Sequence, residues 1–91
     1  MISFYRFVVL SRNVFFYVIK SSVDGRLYKG LTSDLQKRIN EHNRGKTKTT
    51  KAFKPWELVY YKEFSTRDEA RQREKYLKTG AGRRFLKSLD L

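Results

Sequence analysis

The sequence contains no cysteine, one histidine, one proline and only nine acidic residues. Because it has no thiol, it can form neither a disulfide nor a thiolate zinc site, which fits a reducing compartment. Residues 1–10 are apolar and aromatic, but the run is far shorter than the roughly 20 residues of a membrane span. It also lacks the small-residue cleavage site of a signal peptide. We therefore expect a soluble, cytoplasmic protein, with residues 1–13 as an N-terminal extension that forms an extra strand or a loose tail.

Basic residues outnumber the acids heavily. The chain carries 21 lysines and arginines, which give a net charge of +12 on 91 residues. Such an excess implies a polyanionic partner, with nucleic acid as the first candidate and an anionic membrane surface as the second. Peripheral membrane binding needs a helix with a broad apolar face, and the basic helices predicted below have too few large apolar residues for that. We expect one small domain over residues 14–91 that binds no membrane.

Three segments have strand character. The β-branched and aromatic residues over 14–20 predict a strand, and the Asp24-Gly25 turn followed by a short strand over 26–31 predicts a hairpin. Pro55 opens a third strand over residues 56–64. Aromatic residues on both faces of that strand favour the middle of a sheet that helices cover.

Helix signals lie between and after these strands. Ser33 followed by Gln36 predicts a capping box for a helix over residues 34–43. The element order strand, strand, helix, strand, helix, helix then predicts an α/β (α+β) domain. Its centre is a three-stranded, mainly antiparallel sheet flanked by helices.

The end of the chain predicts two more helices. Ser65 or Thr66 is the expected N-cap of the first of them, which has acidic residues in its first turn. Gly80 and Gly82 are expected to break it. A last short helix over residues 83–89 would pack its apolar side chains on the core.

The hairpin places two tyrosines on one face. With a loop over residues 22–25, Tyr17 lies opposite Gly30, and Tyr28 is two positions from Gly30 on the same face. Gly30 would leave room there for a backbone or a ligand. Tyrosine also packs in strands without any catalytic role, and spacing alone leaves that alternative open.

Arg38 and His42 lie four residues apart on the first helix, so their side chains share a face. Leu35 and Ile39 occupy an adjoining stripe, which places the pair at the border of the core. An arginine there suits a phosphate, and a histidine can exchange a proton near neutral pH. The alternative is that Arg38 is one basic residue among many and that His42 merely ends the helix.

Glu74 is an acid within a basic stretch over residues 71–75. It can pair with Lys78 at i+4, a contact worth only about 0.3–0.5 kcal/mol on a surface. It can also bind a hard divalent cation, since Mg²⁺ often takes one or two carboxylates. Further cations suit salt-dependent contacts with a nucleic-acid backbone. The candidates for such contacts are Lys29, Arg44, Lys46, Lys48, Lys51, Arg73 and Lys78.

In this order, these residues resemble the GIY-YIG nuclease superfamily, and in particular its small stand-alone bacterial members, which are similar to the N-terminal domain of the excinuclease C subunit. The resemblance extends from residue 14 to residue 89. The matching segments are residues 15–17 at the GIY element, 28–30 at the YIG element, 31–43, 54–61 and 70–78.

The resemblance implies an endonuclease that hydrolyses DNA with one divalent metal, Mg²⁺ or Mn²⁺, in DNA repair or recombination; RNA is the other candidate substrate. Glu74 would hold the metal, and Arg38 would stabilise the negative charge of the transition state. Tyr17 and Tyr28 would position and deprotonate the attacking water, with Tyr17 favoured as the base and His42 sharing the proton transfer. A tyrosine with its usual pKa of about 10 is a poor base, so nearby cations must lower that pKa.

The chain departs from the family pattern at two motifs. Phe15 and Phe16 replace Gly-Ile, and Lys29 replaces an apolar residue, so we expect Lys29 at a sheet edge or with its amine reaching outward. Leu31 stands where some members have a lysine, and no asparagine follows Asn43. A catalytically weak or inactive nucleic-acid-binding module is therefore the alternative, and a ribosome-associated protein is a third. A partner protein could supply specificity.

Overall fold

The computed structural model describes residues 13–89, so the predicted extension lies outside the described residues except for its last position. The elements are β1 (Val14–Ser21), β2 (Leu27–Thr32), α1 (Leu35–Asn43), a 3₁₀ turn (Lys51–Phe53), β3 (Trp56–Phe64), α2 (Arg67–Leu77) and α3 (Gly80–Ser88). The strands form one antiparallel sheet in the order β2-β1-β3. The predicted fold class is confirmed. Within residues 13–89, no helix is long and apolar enough to cross a membrane.

The middle strand of the sheet is β1, and the prediction that the third strand lies there was wrong. Five of the six residues over 14–19 are buried, as a strand covered on both faces requires. By contrast β3 exposes Glu57, Lys62 and Glu63. These charged side chains suit an edge strand, where solvent reaches them.

Helices cover both faces of the sheet. Because side chains alternate along a strand, β1 sends Tyr17 and Ile19 to one face and Phe16 and Val18 to the other. The first pair packs with apolar residues of α1, and the second pair packs with Leu77 of α2 and with α3. The two faces therefore carry separate clusters, and the predicted site residues divide between them.

The helix α1 begins one residue later than predicted. Its N-cap is Asp34, not Ser33: the Asp34 carboxylate accepts a hydrogen bond from the Lys37 backbone N–H at 3.1 Å. The Thr32 hydroxyl accepts from the Asp34 N–H at 3.1 Å and fixes the chain before the helix. Gln36 therefore lies in the first turn and closes no capping box with Ser33.

The N-cap of α2 is Thr66, one of the two residues predicted for that position. Thr66 and Glu69 exchange side-chain-to-backbone hydrogen bonds in a capping box. At the end of the chain, Leu86 is buried and Phe85 packs against the same cluster. Leu89 caps the end of α3 and is exposed, so the prediction that it packs on the core was wrong.

The helix α3 starts earlier than predicted because its glycines belong to it. Thr79 is the N-cap, its hydroxyl accepts from the Gly82 N–H at 3.1 Å, and the helix begins at Gly80. Gly82 is buried against the end of α2. A Cβ at position 82 would lie 2.7 Å from the carbonyl carbon of Tyr76. Gly82 is thus a point of close helix contact, not a helix breaker.

Candidate active site

The hairpin register places the two tyrosines as predicted. Tyr17 pairs with Gly30 across β1 and β2, and the ring centroids of Tyr17 and Tyr28 are 6.4 Å apart. A Cβ at position 30 would lie 2.6 Å from the Tyr17 hydroxyl oxygen. The space that Gly30 leaves is therefore filled by the ring of Tyr17.

A buried hydrogen-bond cluster joins this tyrosine to α1. Nε of Arg38 donates to the Tyr17 hydroxyl at 3.4 Å, and that hydroxyl lies 2.8 Å from Nε2 of His42. Tyr17 is 1% exposed and His42 is fully buried. Three of the five predicted catalytic residues thus share one network beneath α1.

Thr50 completes this network at its inner end. Its hydroxyl lies 2.8 Å from Nδ1 of His42 and 3.4 Å from the Thr47 carbonyl oxygen, which can accept its proton. Because Arg38 donates to Tyr17, the consistent assignment has Tyr17 donating to Nε2 of His42 and Nδ1–H donating to Thr50. His42 is then neutral, with Nε2 as the proton acceptor.

Sequence reasoning did not identify Thr50. A single histidine beside the core requires a partner for each ring nitrogen, and the connector after α1 offers several threonines. Spacing alone does not select one of them. The choice follows from the path of the connector, in which the Thr50 carbonyl also accepts from Nε1 of Trp56 at 2.9 Å.

The pKa of Tyr17 shifts in the direction opposite to the lowered value that the mechanism was expected to need. Burial raises the pKa of Tyr17, and the nearby Arg38 offsets this only in part. Burial, followed by the charge of Arg38, lowers the pKa of His42 below its usual 6.5. Tyr17 therefore stays a neutral phenol near pH 7 and is not available as a tyrosinate base, whereas His42 is held in the neutral form.

The depressed pKa of His42 predicts a pH-dependent stability. The unfolded chain binds the histidine proton more tightly than the folded chain, so this contribution is complete above about pH 6.5 and falls as the pH drops toward the folded pKa. The free energy of unfolding of the wild type minus that of His42→Gln should fall by at most about 1.4 kcal/mol per pH unit. Urea titrations of both proteins at several pH values between about pH 7.5 and pH 5 measure this difference. A difference that is constant over this range would contradict the buried neutral histidine.

Arg38 connects the buried cluster with the surface. Its side chain is 31% exposed and pairs with Glu41 at 3.0 Å. It lines a groove of about 180 Å³ at the start of α1, together with Asp34 and Lys37. Tyr28 is half-buried, with its ring centroid 5.0 Å from that of His42. Arg38 and Tyr28 are therefore the members of the cluster that solvent can reach.

Glu74 lies in a different layer from this cluster. Its helix α2 packs on the sheet face that carries Phe16 and Val18, and its carboxylate pairs with Lys78 at 3.4 Å. The ion pair that the sequence offered as the alternative is therefore present. The Glu74 side chain is 19% exposed. Among residues 13–89, no three His, Asp or Glu side chains gather as a metal cluster would, so metal binding by Glu74 stays a prediction.

The predicted nucleic-acid contacts fall into two groups. One group is exposed on and after α1: Arg44, Lys46, Lys48 and Lys51. Arg44 and Lys46 line a groove of about 270 Å³ beside Glu41, so a polyanion bound there would adjoin Arg38.

The other group lies across the sheet. Lys29 is half-buried on the edge strand β2, as predicted, and Lys78 is exposed at the end of α2. Arg73 has a packing role, since its guanidinium lies 5.0 Å from the Phe85 ring centroid and donates to the Tyr60 hydroxyl at 3.3 Å. Binding by these residues remains a prediction.

Known proteins are similar to this chain in sequence and in fold. The family model of the GIY-YIG catalytic domain matches residues 13–85. A UPF0213 protein of Bacillus pumilus is 52% identical over 68 residues, which cover 74% of this chain and 68% of that protein. The UPF0213 protein YazA of Bacillus subtilis is 48% identical over 69 residues, or 75% and 69% of the two chains.

One solved structure is also similar, the solution NMR structure of the UPF0213 protein BH0048 from Bacillus halodurans. It has a TM-score of 0.52 and 32% identity, and the match covers 85% of this chain and 84% of that one. The structural match spans most of both chains, and the family model spans most of this chain. The 91-residue chain therefore belongs to the GIY-YIG family.

Proposed function

We propose that this protein is a divalent-metal-dependent endonuclease that hydrolyses DNA phosphodiester bonds. The observation that carries the proposal is the contact between the Arg38 guanidinium and the Tyr17 hydroxyl, backed by buried His42. It combines a phosphate-binding cation, a tyrosine and a proton acceptor, next to the groove that Arg44 and Lys46 line. The matching family model describes a catalytic domain, which supports an enzymatic role.

In this mechanism Arg38 binds the non-bridging oxygens of the scissile phosphate. Two of its N–H groups serve Tyr17 and Glu41, and the remaining ones are available to a ligand. Charge-assisted hydrogen bonds from a guanidinium strengthen as negative charge accumulates on the phosphate oxygens. The Glu41 contact and the Tyr17 contact together fix the orientation of the guanidinium.

The two tyrosines have different roles: Tyr28 positions the water, and Tyr17 transfers its proton. Tyr28, the more exposed of the two, holds the attacking water in line with the P–O bond that breaks. As the water oxygen bonds to phosphorus and the P–O bond to the leaving oxygen breaks, one water proton passes to the Tyr17 oxygen and Tyr17 releases its own proton to Nε2 of His42. The leaving oxygen takes a proton from solvent. Because Tyr17 is buried in the free protein, DNA binding has to open its hydroxyl to the attacking water. Neutral His42 makes this route possible despite the raised pKa of Tyr17.

Glu74 is the proposed metal ligand. A half-buried carboxylate is a hard oxygen donor of the kind that Mg²⁺ and Mn²⁺ prefer, and a single carboxylate suffices where waters and phosphate complete the shell. A bound divalent ion would supply charge neutralisation and Lewis acidity at the phosphate. Because α1 and α2 lie on opposite faces of the sheet, the bound DNA has to bring the scissile phosphate within reach of both Arg38 and Glu74. Because the Glu74 carboxylate pairs with Lys78, the lysine has to move away when Glu74 binds a metal.

Nicking of supercoiled plasmid tests this function. We expect relaxation that depends on Mg²⁺ or Mn²⁺ and that is lost in Glu74→Ala, with Asp68→Ala as the matched control that removes an exposed acid from the same helix without touching its capping box. Salt-sensitive binding without cleavage, unchanged in Glu74→Ala, would instead support a binding module.

A further inference from the structure

A basic cleft lies on the sheet face opposite to Tyr17. It occupies about 600 Å³ between the β1–β2 hairpin and α3. Four cations and two leucines account for most of its wall: Lys20, Leu27, Lys29, Arg83, Leu86 and Lys87. Among the described residues that line it, none is acidic.

The periodicity of both elements builds this wall. Lys20 lies opposite Leu27 in the hairpin register, and Lys29 is two positions beyond Leu27, so all three share one face of the sheet. On α3, Arg83 and Lys87 are four residues apart and project from one side of the helix. Two cations from the sheet thus face two cations from the helix across an apolar floor of leucines.

Within the cleft Arg83 repels Lys29, and Lys78 repels Lys29 from outside it. Burial, followed by the charges of Lys78 and Arg83, lowers the pKa of Lys29. A half-buried lysine beside other cations and without an acidic partner destabilises a fold, and such an arrangement is typical of a binding site for an anion. Two leucines beside these charges add a surface for an apolar or aromatic group.

We propose that this cleft binds a segment of single-stranded nucleic acid. Its cations would contact the phosphates, and an unpaired base would cover the leucines at the floor, as in grooves that track single strands. A duplex hides its bases from such a floor. Inorganic polyanions lack the base that the leucines would contact.

The position of the cleft extends this inference to the substrate, a step that rests on the proposed nuclease function. Tyr28 and Lys29 are consecutive residues of the edge strand β2, so they point to opposite faces at the rim of the sheet. A strand leaving the cleft passes this rim and arrives beside Tyr28. The substrate class is therefore DNA with a single-stranded segment next to the cleaved bond.

Fluorescence anisotropy in EDTA tests the cleft independently of cleavage. The test variant is Lys29→Gln with Arg83→Gln, and the control variant is Lys62→Gln with Arg67→Gln, which removes two exposed cations outside the cleft. Both variants carry a net charge of 12 − 2 = +10. Each is titrated with a labelled single strand and with the matching duplex at roughly 50 to 200 mM salt.

We expect the cleft variant to bind the single strand roughly tenfold more weakly and to reduce the salt slope by about 1.4, or about 0.7 for each phosphate that is no longer neutralised. The control should stay close to the wild type, and the duplex should change less than the strand. Thermal melts check folding; the removal of the repelled Lys29 charge should not lower the midpoint. A cleft variant that binds like the control, or equal weakening for strand and duplex, would overturn the proposal. A failure of plasmid nicking would overturn only the nuclease function.

Discussion

Replacement of Arg38 with glutamine is expected to slow the single-turnover nicking of plasmid by roughly 100- to 1,000-fold. The guanidinium is the cation that contacts the Tyr17 hydroxyl and also lines the groove at the start of α1. Glutamine keeps a donor but loses the positive charge, so it cannot stabilise the charge that develops on the phosphate. The variant should still bind DNA through the other cations, and a quench-flow or gel time course at saturating protein measures the rate.

Arg44→Gln is the matched control for this prediction. Arg44 is the exposed C-cap of the same helix, and its substitution removes the same charge. At saturating protein, its rate should remain within a few-fold of the wild type. Equal reductions in both variants would mean that only the overall charge matters and would contradict the role of Arg38 at the phosphate.

The largest expected effect on stability comes from Gly82→Ala. A methyl group at this position would lie 2.7 Å from the carbonyl carbon of Tyr76, which is backbone and cannot move without displacing the end of α2. We expect a decrease of more than about 4 kcal/mol in the free energy of unfolding, or a failure to fold. Urea denaturation followed by circular dichroism measures the decrease.

Gly80→Ala provides the comparison. A Cβ there meets only a terminal nitrogen of Arg84 at 3.6 Å, an ordinary contact. The substitution should leave stability unchanged or raise it by up to about 1 kcal/mol, because alanine favours the helix and restricts the unfolded chain. Similar destabilisation in the two variants would show that α3 does not approach α2 as closely as the structure has it.

The features that sequence predicted are those set by local chemistry. The register of Tyr17 with Gly30 follows from the length of the turn before Arg26, and the shared face of Arg38 and His42 follows from helical spacing. Because Tyr28 and Lys29 are consecutive in β2, side-chain alternation also puts them on opposite faces of that strand. These relations involve residues that are close in the sequence, so backbone periodicity decides them.

The features that sequence missed depend on contacts between distant segments. The start of α3 at Gly80 follows from the fit of Gly82 against α2, which no propensity encodes. Thr50 becomes the partner of His42 only because the connector folds back under α1. The edge position of β3 depends on strand order, which alternation along a single strand leaves open.

The direction of the Tyr17 pKa shift is also a consequence of burial. Counting nearby cations suggested a lowered value, but removal of the hydroxyl from water has the larger effect and raises it. In the proposed mechanism the final proton acceptor is therefore neutral His42, hydrogen-bonded to Tyr17, and not a free tyrosinate. The function of the site depends on whether this pair, with Arg38, can act on a phosphodiester bond.

The most direct test is a single-turnover assay in which binding and cleavage are followed on the same plasmid samples. The wild type should bind and nick the DNA when Mg²⁺ is added and should bind without nicking in EDTA. Arg38→Gln should bind to a similar extent and nick far more slowly. If the wild type binds fully and leaves the plasmid intact in Mg²⁺ and in Mn²⁺, the cluster of Tyr17, Arg38 and His42 is not a nuclease centre.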